Sequence, residues 1–96
     1  MFVFKAAVVG AGTMGGQIAQ TIAAAGIPVL LKDVSQELVD HGLQAARDAT
    51  AGALAGQVKK GRLTEEQAAT QVDEVLGRIT GTLDYSGFGD VDFVIE

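Results

Sequence analysis

Short apolar runs alternate along this chain with longer stretches in which apolar residues recur every three or four positions. The first run, Val3 to Val9, is nearly continuous, as in a strand buried on both faces of a parallel sheet. From Thr13 to Ala25, Ile18, Ile22 and Ala25 make a stripe at helical spacing, and the alanines keep that helix thin enough to lie close to a sheet. Gly26 is a natural helix terminator, and Pro28 prevents continuation. Pro28 to Lys32 then reads as a second strand.

A long helix follows, with Ser35 as its N-cap. Val39, Leu43, Ala46, Thr50, Ala53, Leu54 and Val58 recur at steps of three and four, while Gly42, Gly52 and Gly56 predict a bend or close packing. Lys59 and Lys60 suit the negative end of the helix dipole before Gly61. Thr64-Glu65-Glu66-Gln67 is a capping box for a third helix, buried through Ala68, Val72, Val75 and Leu76 and ended by Gly77. These two helices form a helical hairpin. Arg78 to Leu83 is a third strand, in which Gly81 indicates a bulge or an edge position. Asp84 to Gly89 is a turn or a single helical turn, and Val91 to Ile95 is a fourth strand.

This alternation predicts an α/β fold, a Rossmann-type parallel sheet with helices on both faces and a helical hairpin after strand two. Right-handed crossovers put the strands in the order 3-2-1-4. The fourth strand is then an edge with unpaired outer hydrogen bonds, so self-association through it is an expectation. Residues 1–96 read as the N-terminal part of such a domain, cut short.

The first turn carries the candidate chemistry. Gly10-Ala11-Gly12-Thr13-Met14-Gly15 joins the first strand to the first helix, and Asp33 stands eighteen residues past Gly15 at the end of the second strand. Thirteen glycines make a chance GxGxxG match easy, but strand, glycine turn, helix, strand and acid in that order is far more specific. Gly10 makes the tight turn, Gly12 lets a pyrophosphate approach the backbone, and Gly15 lets the helix pack. The amides of Thr13 to Gly15 open the helix and favour an anion. Asp33 is placed to accept hydrogen bonds from the adenosine ribose and to repel a 2′-phosphate, so NAD is preferred over NADP. Lys32 points to the opposite face of its strand.

Composition narrows the function further. The net charge of −5 argues against nucleic acid or an anionic membrane as partner. With no cysteine there is no disulfide or thiolate site, which suits a reducing cytoplasm. The start, Met1-Phe2-Val3-Phe4-Lys5, has the pattern of neither a signal peptide nor a spanning helix. His41, Tyr85, Glu65 and Glu66 read as structural or solvated residues, and no metal-spaced ligands stand out.

Val9-Gly10-Ala11-Gly12-Thr13-Met14-Gly15-Gly16 with Ile18-Ala19 resembles the opening of 3-hydroxyacyl-CoA dehydrogenases. Leu31-Lys32-Asp33-Val34, Gly61-Arg62-Leu63-Thr64 and Asp90-Val91-Asp92-Phe93-Val94-Ile95-Glu96 look like the dehydrogenase part of bacterial multifunctional fatty-acid-oxidation α-subunits. The resemblance covers essentially the whole chain. It implies an NAD-binding portion of an enzyme that oxidises a 3-hydroxyacyl-CoA to a 3-ketoacyl-CoA in β-oxidation. Gly10, Gly12 and Gly15 would shape the pyrophosphate site, Met14 would contact the cofactor through its backbone, and Asp33 would hold the ribose. In the family the hairpin lies near the CoA end of the substrate, so Lys59, Lys60 or Arg62 could meet CoA phosphates; a solvated helix end is the competing reading.

The family's catalytic histidine, its glutamate partner and the substrate-binding asparagine and serine all lie beyond strand four. His41 does not match the catalytic position, and Glu96 precedes the nicotinamide-side loop. The 96-residue chain alone is therefore expected to bind NAD weakly and to turn nothing over. Two other readings stay open: the cofactor domain of another β-hydroxyacid dehydrogenase, and a non-enzymatic dinucleotide-sensing module. The long hairpin after Asp33 argues against the first of these.

Overall fold

Four short parallel strands carry the molecule, each reached through the elements that the hydrophobic pattern predicts. The computed structural model describes residues 5–10, 12–85 and 87–95. Strand β1 is Ala6–Val9, helix α1 Gly12–Ala24, strand β2 Val29–Lys32, helix α2 Gln36–Lys59, helix α3 Glu65–Gly77, strand β3 Ile79–Thr82, and strand β4 Phe93–Ile95, preceded by a one-turn 3-10 helix at Phe88–Asp90. The expected start of the first strand at Val3 lies outside the described residues.

Local chemistry sets the boundaries. The Ser35 hydroxyl accepts from the Leu38 amide at 3.2 Å and so caps α2. At α3 the capping box closes both ways: the Gln67 amide donates to Thr64 Oγ1 at 3.1 Å, and the Thr64 amide donates to Gln67 Oε1 at 2.9 Å. The amide of Gly26 donates to the Ala23 carbonyl at 2.9 Å, which ends α1.

The sheet order is β3-β2-β1-β4, all parallel, as the crossover rule requires. Val8 pairs in register with Leu31 and Ile95, and Leu31 with Gly81. Val8, Val29, Leu31 and Ile79 project from one face into a core shared with Ala19 and Ala23 of α1, Ala46 of α2 and Val75 of α3. All three α-helices therefore cover that face. The expectation of helices on both faces is met unevenly: Leu30 and Lys32 point the other way, Lys32 under Tyr85 and Leu30 beside Gly87, where the only helix among the described residues is a single 3-10 turn. Moving outward from β1 to β2 to β3 by right-handed crossovers keeps every connection on one side, and only the return past β1 to β4 reaches the other.

Close backbone approach explains glycines whose purpose composition alone left open. A Cβ on Gly16 would strike the carbonyl of Gly42, so α1 and α2 cross with their backbones in contact. At Gly81, which does lie on an edge strand, a Cβ would come within 2.5 Å of Val39 Cγ1. The register through Gly81 is unbroken, so the packing of α2, rather than a bulge, calls for glycine there. The buried residues of α2 are Val39, Gly42, Ala46 and Thr50, all in its first half, and no residue from 51 to 71 is buried. The outer half of the hairpin thus projects away from the core.

Candidate functional site

Parallel pairing brings the glycine turn and the acid together. Val9 is the register partner of Lys32, and the amide of Gly10 donates to the Lys32 carbonyl at 2.9 Å. Gly10 and Asp33 are the next residues along each strand, so both lie at the same carboxyl edge of the sheet. That edge is where open α/β sheets bind ligands.

The turn itself requires glycine. Gly10 has φ +96° and Gly12 φ +29°, both in the left-handed region. A Cβ added to either meets nothing within 4 Å, so the chain leaves open space over the turn. At Gly15 the reverse holds, because a Cβ would land on the carbonyl oxygen of Gly10. Helix α1 is thereby seated directly against the turn it follows. Its first four amides have no partner within the helix, and its first turn carries no acidic side chain to oppose the dipole. Met14, in that turn, is exposed. Ala11 lies outside the described residues, and Thr13 is placed within α1.

Asp33 is half-buried. Its amide donates to the Thr82 carbonyl of the neighbouring strand at 3.3 Å, and its Oδ1 accepts from the Val34 amide at 2.6 Å. A backbone tied on one side to β1, through Lys32, and on the other to β3 holds this carboxylate at a fixed place along the edge. The open turn, the unopposed helix N-terminus and the adjacent acid fit an adenosine diphosphate: the amides suit its phosphates and the carboxylate its ribose hydroxyls.

Other residues singled out from sequence lie elsewhere. His41 is exposed on α2 and lines an open groove between α1 and α2 with Gln17, Gln44 and Asp48. Glu65 and Glu66 are exposed in the first turn of α3, where negative charge suits the dipole. Lys59, Lys60 and Arg62 are exposed at the far end of α2. That helix has 24 residues, so its ends stand about 36 Å apart; the three basic residues are not brought to the glycine turn. Glu96 lies outside the described residues. Among the described residues no group of three or more side chains is arranged to hold a metal ion.

Sequence reasoning missed one feature. Lys32, at 7% exposure, holds its ammonium 4.4 Å from the centre of the Tyr85 ring, and Tyr85 meets Phe88 edge-on at 5.0 Å. The period of the strand already turned Lys32 away from Asp33. What covers that face comes from a loop more than fifty residues later, and no local pattern encodes it.

Residues 5–96 match the family of 3-hydroxyacyl-CoA dehydrogenase NAD-binding domains. The chain belongs to this family. NAD is accordingly the cofactor of this dehydrogenase domain. Fatty acid oxidation complex subunit alpha of Pseudomonas savastanoi pv. phaseolicola is 45% identical over 92 residues, covering 96% of this chain and 12% of that protein. Its counterpart in Pseudomonas putida GB-1 is 44% identical over the same 96% of the chain and 12% of its own length. The chain thus spans about an eighth of the curated relatives it matches.

Solved structures agree with the dehydrogenase domain in fold. (S)-3-hydroxybutyryl-CoA dehydrogenase of Ralstonia eutropha superposes with a TM-score of 0.71 at 34% identity, covering 97% of this chain and 30% of that one. The 3-hydroxybutyryl-CoA dehydrogenase of Escherichia coli K12 gives 0.68 at 34% identity, over 98% and 18%. No helix among the described residues is long and apolar enough to cross a membrane.

Proposed function

We propose that this chain is the cofactor-holding, N-terminal part of an NAD-dependent 3-hydroxyacyl-CoA dehydrogenase that serves fatty-acid β-oxidation in the cytoplasm. The observation that carries this reading is the hydrogen bond from the Gly10 amide to the Lys32 carbonyl, which sets the glycine turn beside Asp33 at the ends of β1 and β2, with open space above Gly12. Gly10 and Gly12 shape the turn, and Ala11 shares it in sequence. The amides of Gly12, Thr13, Met14 and Gly15 receive the pyrophosphate, and Asp33 receives the adenosine ribose and disfavours a 2′-phosphate.

When bound, NAD would supply a hydride acceptor for the oxidation of a 3-hydroxyacyl-CoA at C3 to a 3-ketoacyl-CoA. The hydroxyl proton needs a general base. His41 is the chain's only histidine and lines an open groove with Gln17, Gln44 and Asp48; the family resemblance puts the base in another part of the enzyme. The role of this part is to bind and orient. Acyl-CoA is the substrate of the whole enzyme, with a contact at Lys59, Lys60 or Arg62 resting on the family's hairpin alone.

Thermal unfolding with NADH and with NADPH tests the reading. Ligand at about 100 times its dissociation constant adds ~2.7 kcal/mol, which at this size raises the midpoint by roughly 10–20 °C. We expect stabilisation by NADH well above that by NADPH, and its loss in Asp33→Ala. Equal stabilisation by both nucleotides, or an Asp33→Ala chain that responds as the parent does, overturns it.

A further inference from the structure

We draw no further inference here: the strongest candidate, the apolar groove between the second half of α2 and the start of α3 that Leu54, Val58, Ala68 and Val72 line, carries both Lys59 and Glu65, so its charge selects no partner, and nothing in the structure shows what covers it.

Discussion

Two pairs of helical glycines in this molecule have opposite meanings. Gly15 and Gly16 lie in α1 where a Cβ would strike the backbone of Gly10 and of Gly42. Gly52 and Gly56 lie in the outer half of α2, where a Cβ meets nothing within 4 Å. The first pair lets a helix sit on a turn and a second helix cross it, which fixes the edge where the cofactor is held. The second pair only weakens a helix that already lacks buried residues beyond Thr50. A glycine therefore informs about function through what surrounds it, and α1 and the outer half of α2 differ in this respect.

The largest effect should come from filling the crowded pair. Gly16→Ala pushes one backbone off another and should cost about 1–3 kcal/mol or more, read as a lower urea midpoint. Gly15→Ala should do the same and also abolish NADH-induced stabilisation, because the displaced carbonyl belongs to the turn. If both variants match the parent, the contrast fails. A middle-sized effect belongs to the hairpin tip, where Thr64→Ala removes one half of a reciprocal cap and should cost about 1 kcal/mol without changing nucleotide affinity. Gly56→Ala should act in the opposite direction and raise stability by roughly 0.5–1 kcal/mol, seen as a higher thermal midpoint. Destabilisation by this variant would show that the tip is packed against something. Smallest of all, Lys59→Ala and Lys60→Ala should shift stability by less than about 0.5 kcal/mol and leave NADH binding unaltered.

The same contrast explains what could be read in advance. Element boundaries rest on local chemistry, and Ser35, the Thr64–Gln67 box and Gly26 act within four residues of where they stand. The strand order follows from crossover handedness, and the placing of the glycine turn next to the end of β2 follows from that order. The contact of Gly16 with Gly42 was not legible, since a helix crossing depends on angles that no residue spacing states. Gly81 was placed on an edge, but its reason, the Val39 side chain above it, belongs to another element. Lys32 is the instructive miss. The strand period turned it away from Asp33, but its burial depends on Tyr85, which follows β3 far along the chain.

The strand order also has a consequence in time. Strand β4 pairs with β1 alone among the described strands, and its start is clasped to it by Lys5, whose amide donates to Asp92 Oδ2 at 2.9 Å and whose carbonyl accepts from the Asp92 amide at 2.8 Å. These partners are 87 positions apart in the chain. Closing so long a loop carries an entropic cost that nearby contacts do not share. The β1–α1–β2 unit and the hairpin can assemble from neighbours, whereas β4 has to wait for residues 87 positions apart to meet. Folding should thus end, and unfolding begin, at this clasp, and the amides of β4 should exchange with solvent ahead of those of β2.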